Sequence, residues 1–160
     1  MKAIITLLIL TVFISCNKDD SNEKTTVFFD TSVEISAKNV NGEDLLNPNN
    51  PNAYKTENIK IYYLINGEKQ EVNDNKMDYP RSFLVYQNGE DFRIRIFKNN
   101  SKIEGLPITY IKWNENETDT IQTEYDRTYS NEPRMQKVWF NGELKWDIKN
   151  GEEGFFKILK

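Results

Sequence analysis

The sequence predicts an all-β fold, and three observations carry that reading. Short runs alternate apolar and polar residues. Val33, Ile35 and Ala37 interleave with Glu34, Ser36 and Lys38; Phe92, Ile94 and Ile96 interleave with Arg93 and Arg95; Ile121, Thr123 and Tyr125 interleave with Thr120, Gln122 and Glu124. A strand sends successive side chains to opposite faces, so each run reads as a half-buried strand, and the β-branched and aromatic residues that dominate them suit a pleated surface. Asn-Gly dipeptides punctuate the runs at Asn41-Gly42, Asn66-Gly67, Asn88-Gly89 and Asn141-Gly142. They are strong hairpin signals, because a type I′ turn needs φ > 0 at both central residues. No stretch beyond Cys16 keeps a 3.6-residue apolar period for three turns.

Taken in order, the chain opens with one positive charge at Lys2 and an apolar run from Ala3 to Ile14, broken only by Thr6 and Thr11. As a helix this run is about 18 Å long, too short for a bilayer core of roughly 30 Å. A charged start, a short apolar core and the small Ser15 mark a secretory signal helix over 1–15. Residues 16–24 are polar and aperiodic, which predicts a flexible tether, and 25–160 form one domain. Strands are expected at 26–29, 32–38, 58–65, 68–72, 82–87, 91–98, 107–113, 119–126, 135–140, 143–148 and 155–159.

Two Asn-Gly turns fix a register. A two-residue turn at Asn66-Gly67 pairs Ile65 with Glu68 and Tyr63 with Gln70, placing Ile61, Tyr63, Ile65 and Val72 on one face. The same turn at Asn141-Gly142 pairs Trp139 with Leu144 and sets Trp146 opposite Lys137. Trp139, Leu144, Trp146 and Ile148 then share a core face, with Val138 and Phe140 on the other. The segment 41–58 carries two prolines and no period, but Leu45, Leu46 and Tyr54 predict that it packs back on the domain. Many short strands with a turn every dozen residues predict a single antiparallel β-sandwich, immunoglobulin-like in form, with a closed barrel as the alternative.

The lone cysteine follows the signal segment in Phe13-Ile14-Ser15-Cys16. This resembles a bacterial lipoprotein signal, which implies cleavage before Cys16, lipidation of that residue with three acyl chains, and membrane anchoring. Two or more chains hold a protein stably where one does not. Lipidation also accounts for a single Cys that cannot form an internal disulfide. Asn17-Lys18-Asp19-Asp20 resembles the export tag of Bacteroidota surface lipoproteins, in which Lys18, Asp19 and Asp20 would direct the protein to the outer face of the outer membrane; the alternative is a periplasm-facing position. The chain resembles a group of Bacteroidota lipoproteins that pair "DLLNPNNPNAY" with "IKIYYLINGE" and end in a "VWFNGEL" hairpin. That group carries no known activity, so the resemblance bears on fold and location.

Charge and composition narrow the chemistry. With 21 basic and 25 acidic residues, and no basic run, nucleic acid is not an expected partner. There is no His, and the one Cys is assigned to lipid, which excludes Ser-His-Asp and Cys-His catalysis and the usual zinc sites. No phosphate-binding glycine loop is present. No cofactor or metal is expected. "NDNKMD", Asn73 to Asp78, alternates oxygen donors but lacks the glycine and terminal Glu of a calcium loop, so it reads first as a polar turn. Asn99-Asn100-Ser101 and Asn116-Glu117-Thr118 fit an N-glycan pattern, although bacteria of the kind the resemblance implies are not expected to have that machinery, and Asp119-Thr120-Ile121 resembles a Bacteroidota O-glycosylation motif, with Thr120 as acceptor.

Aromatic residues are the leading functional signal. Tyr62, Trp113 and Phe140 lie on strands with two partly apolar faces and are the candidate binding residues, able to stack on sugar rings or anchor a protein. The expected function is a lipid-anchored, non-catalytic binding or structural module of the cell envelope, its ligand a glycan or an envelope protein. The rival is a carboxylate-dependent glycoside hydrolase, which needs two converging carboxylates in a cleft.

Overall fold

The computed structural model of the protein describes residues 32–101, 105–128, 133–151 and 154–160. Expectations for the signal segment 1–15, the tether 16–24 with Cys16, Lys18, Asp19 and Asp20, and the strand at 26–29 lie outside the described residues. Within them the protein is all-β. The strands are β1 (Ser32–Lys38), β2 (Lys60–Ile65), β3 (Glu68–Glu71), β4 (Phe83–Asn88), β5 (Asp91–Phe97), β6 (Ile108–Asn114), β7 (Glu117–Asp126), β8 (Arg134–Phe140), β9 (Glu143–Asp147) and β10 (Phe155–Leu159). Two 3₁₀ turns, Thr56–Asn58 and Ile148–Asn150, complete the regular structure.

The strands form two sheets. The smaller has the order β10-β1-β5-β4 and the larger β3-β2-β6-β7-β8-β9. Among the described residues every strand pairing is antiparallel except one: β1 runs parallel to β10, with Glu34 opposite Phe155 and Lys38 opposite Leu159. This departs from the wholly antiparallel arrangement expected above, because apolar alternation encodes which face is buried and not which way a neighbour runs. The approach of the two segments is close. Glu34 N donates to Gly154 O at 2.7 Å, and a Cβ on Gly154 would lie 2.7 Å from Met135 Cε.

The inner faces of both sheets join in one apolar cluster. Val33, Ile35, Ile94 and Ile96 come from the smaller sheet, and Ile61, Ile111, Trp113, Ile121 and Val138 from the larger. Phe140 meets Phe156 edge-on across the two, with ring centres 5.7 Å apart. Burying one such side chain is worth about 1.5–3 kcal/mol, whereas an exposed ion pair gives about 0–1 kcal/mol. The apolar phase therefore decides which way each strand faces.

The hairpin at Asn66-Gly67 adopts the expected register, Ile65 with Glu68 and Tyr63 with Gln70, and both turn residues have φ > 0. The hairpin at Asn141-Gly142 begins as expected, with Trp139 opposite Leu144, but a bulge follows and Trp146 pairs with Val138. The extra residue reverses the phase of β9. Val138, Phe140 and Trp146 are buried together while Trp139 and Leu144 face outward, correcting the shared core face assigned to Trp139, Leu144 and Trp146.

The 41–58 segment packs as expected. Leu45 and Leu46 are buried. Tyr54 stacks on Trp113 at 4.9 Å, and the Asp44 carboxylate accepts the Phe92 N–H at 2.7 Å. Its asparagines form successive side-chain-to-backbone turns: Asn47 accepts from Asn49 N and Asn50 from Asn52 N.

Candidate functional site

Alternation on β2, β6, β7 and β8 leaves a second face on the larger sheet, opposite the core. Tyr62 on β2 pairs with Tyr110 on β6, and Tyr110 with Thr120 on β7. Ile108 pairs with Gln122, Gln122 with Trp139, and Trp139 with Leu144. Leu64 lies beside Lys69. Two rows of outward side chains thus cross the sheet, one carrying Tyr62, Tyr110 and Thr120, the other Leu64, Ile108, Gln122 and Trp139. All are half-buried, and Leu144 at the end is 48% exposed. Tyr110 and Trp139 stand two strands apart, about 10 Å across the sheet.

This face is electrically balanced. Four of its lysines pair with carboxylates: Lys60 with Glu71 at 3.1 Å, Lys112 with Glu115 at 2.7 Å, Lys137 with Glu124 at 3.3 Å and Lys145 with Glu143 at 2.8 Å. The ammonium of Lys69 lies 3.8 Å from the centre of the Tyr110 ring.

Of the residues singled out in the sequence, Tyr62 lies on this face. Trp113 and Phe140 do not. Trp113 is fully buried, in phase with Ile111, and Phe140 is 6% exposed, in phase with Val138. Both are core residues, correcting their assignment as binding residues. The other aromatics on this face are Tyr110 and Trp139. Both phases of "ITYIKWN" and "KVWFN" are apolar, so periodicity does not say which aromatic faces out; Trp139 does so because Val138 and Phe140 face the core, and the β9 bulge frees Trp146 from sharing its face. Thr120 borders Tyr110, and both its N–H and its hydroxyl donate to Asn141 Oδ1, at 2.9 and 3.3 Å. Asn99 is buried and bonded to the Leu64 and Ile108 carbonyls.

The structure also gathers two carboxylates that sequence reasoning did not pair. Glu117 and Asp119 both engage Lys160 Nζ, at 2.7 Å for Glu117. Asp119 accepts the Trp113 indole N–H at 2.5 Å and an Asn141 amide hydrogen at 2.8 Å. Glu117 accepts the Tyr54 hydroxyl at 2.9 Å. Burial and the bond to Glu117 push the Tyr54 phenol well above its ordinary range. Both carboxylates are occupied by protein donors, an arrangement that clamps β7 to the residue following β10. Among the described residues, no three His, Cys, Asp or Glu side chains gather as metal ligands. The Asp74 carboxylate closes its own turn by accepting Lys76 N–H at 3.0 Å.

A cavity of about 380 Å³ opens beside the β3–β4 connection, lined by Tyr63, Met77, Asp78, Tyr79, Phe97 and Lys98 among others. Tyr79 stacks on Phe97 with ring centres 5.3 Å apart. Tyr63 donates to Phe97 O at 2.8 Å, and burial raises its phenol pKa.

Comparisons with protein-family models, with curated proteins and with solved structures find no match to this chain.

Proposed function

We propose that the protein is a lipid-anchored, non-catalytic binding module of the outer membrane, immunoglobulin-like in form, tethered through Cys16 and displayed at the cell surface by the Lys18-Asp19-Asp20 tag. The observation that carries the binding role is the outward face of the larger sheet, where Tyr62, Tyr110 and Trp139 form an aromatic platform with Gln122 and Thr120 between them. Aromatic rings supply apolar area for the faces of sugar rings, and amide and hydroxyl groups supply hydrogen bonds. The pairing of its lysines with carboxylates favours an uncharged ligand, so a neutral glycan is the first choice of ligand and an envelope protein the second. The rival reading, a carboxylate-dependent hydrolase, draws less support. Its best carboxylate pair, Glu117 and Asp119, is filled by Tyr54, Trp113, Asn141 and Lys160.

Affinity electrophoresis through gels containing neutral polysaccharides tests the ligand. At least one polysaccharide should retard the native protein, and Tyr110→Ala or Trp139→Ala should abolish the retardation while leaving the circular dichroism spectrum unchanged. Retardation that survives both substitutions would remove the platform from the account. Shaving of intact cells with protease, comparing the native protein with a variant carrying Ala at Lys18, Asp19 and Asp20, tests display. Cleavage of the native form with protection of the variant is expected.

A further inference from the structure

We propose that the cavity beside the β3–β4 connection is a second binding site, separate from the aromatic platform, for a primary ammonium group on a short apolar body. The connection closes on itself, with Asp74 N donating to Pro80 O at 2.9 Å and Met77 N to Asp74 O at 3.0 Å. This closed loop holds Met77 61% and Tyr79 44% exposed beside the cavity. Singly exposed apolar side chains are ordinary, but here two of them line one space with Phe97 and Tyr63. Ser82, also on the wall, sits at φ 56, a left-handed conformation unfavourable for a non-glycine residue. The bonds from Ser82 N to Tyr79 O at 2.8 Å and from Phe97 N to Ser82 O at 2.9 Å hold it there. Backbone strain of this kind concentrates where a surrounding site over-determines the geometry.

The lining identifies the ligand. The volume lies in the range of small-molecule sites. Aromatic faces and a thioether favour an apolar body and attract a cation through the ring quadrupole. Asp78 supplies the charge: its carboxylate is exposed and has no ion-pair partner among the described residues. Lys98 also lines the cavity, but it is 3% exposed and already engaged. An amine therefore meets an open carboxylate, while an anion meets a cation that is not free.

The test uses three five-carbon probes, n-pentylammonium, 1-pentanol and pentanoate, titrated into the full-length protein while the Met77 methyl resonance is followed by NMR. Pentylammonium should bind in the millimolar range and tighter than pentanol by about fivefold, the effect of one cation–π or exposed ion-pair contact. Pentanoate should bind weakest. Asp78→Asn should remove the advantage of pentylammonium over pentanol without unfolding the chain, since Asp78 makes no side-chain bond among the described residues. Equal binding of the three probes, stronger binding of pentanoate, or no saturable shift with any of them would overturn the assignment. Tyr79→Ala should weaken all three together; retention of full affinity would place the probes elsewhere. Loss of glycan retardation by the platform variants leaves these results unaffected, so the two sites fail independently.

Discussion

The outward faces of the two sheets are built on opposite plans. On the smaller sheet, Glu34 of β1 lies between two arginines of β5: Arg93 donates at 2.9 Å and Arg95 Nε at 3.0 Å. Arg93 in turn stacks 3.9 Å over the Phe155 ring. Charges and ring engage one another at the centre of that face, although Arg93 Nε has no partner among the described residues and Leu159 at the end of β10 is 70% exposed. On the larger sheet the ion pairs lie around Tyr62, Tyr110 and Trp139, and the rings themselves remain half-exposed. A face whose polar groups bond one another has little left to offer a ligand. Recognition is therefore expected where apolar area is exposed and charge is already balanced.

The largest expected effect comes from breaking the tie between the two sheets. Asp119 on β7 and Lys160 after β10 belong to opposite layers, and removing one partner of a buried charge cluster typically costs about 3–5 kcal/mol. Asp119→Ala should lower the free energy of urea unfolding by about that amount. A loss below about 1 kcal/mol would mean that water replaces the carboxylate and that this charge cluster adds little to the joining of the sheets.

Glu34→Gln should cost about 1–2 kcal/mol near neutrality, because one charged acceptor of several bonds is lost from a partly exposed site. Burial alone would raise the Glu34 carboxyl, but bonds from Tyr86, Arg95 and Arg93 outweigh it and hold the pKa below the ordinary value of 4.5. The unfolded chain binds this proton more readily than the folded one. The stabilisation is therefore complete above about pH 4.5 and fades as pH falls through the lower native value. Unfolding curves of the native protein and Glu34→Gln should converge in acid. A difference that stays constant with pH would show that packing, not charge, closes this face.

Trp139→Ala should reverse the pattern of Glu34→Gln, with a stability change under about 1 kcal/mol but loss of glycan retardation. The smallest effect is expected at Ser82→Gly, which relieves the left-handed strain at φ 56 and should raise the melting temperature slightly, equivalent to at most about 1 kcal/mol. A drop in melting temperature would instead show that the hydrogen bond between the Tyr63 and Ser82 hydroxyls outweighs the strain.

Strands such as β5 were legible because one face is buried and their residues alternate cleanly, whereas β3, exposed throughout, was legible only from the Asn66-Gly67 turn beside it. The packing of Leu45, Leu46 and Tyr54 was legible from apolar residues in an otherwise polar loop. The platform was less so. In β6 both phases carry aromatics, so Trp113 and Tyr110 look alike in sequence and only the partner sheet distinguishes them. In β9 a single extra residue reverses every side chain beyond it, and no residue type in "ELKWD" announces a bulge. The joining of Asp119 to Lys160 depends on β10 lying beside β1, a long-range pairing that local patterns do not encode.

The parallel pairing of Glu34 with Phe155 also carries an expectation for the order of assembly. Hairpins such as Tyr63 with Gln70 need only a tight turn and can form as soon as their residues are free, within microseconds. The first strand of the smaller sheet is different: one of its two neighbours is nearly the whole chain away, and closing so long a loop is slow. As the polypeptide emerges amino end first, β1 waits with one edge unpaired until β10 arrives. Completion of the smaller sheet is thus expected to come late, and a chain halted before Phe155 would expose the Val33, Ile35 and Ala37 strand to whatever edge it meets first.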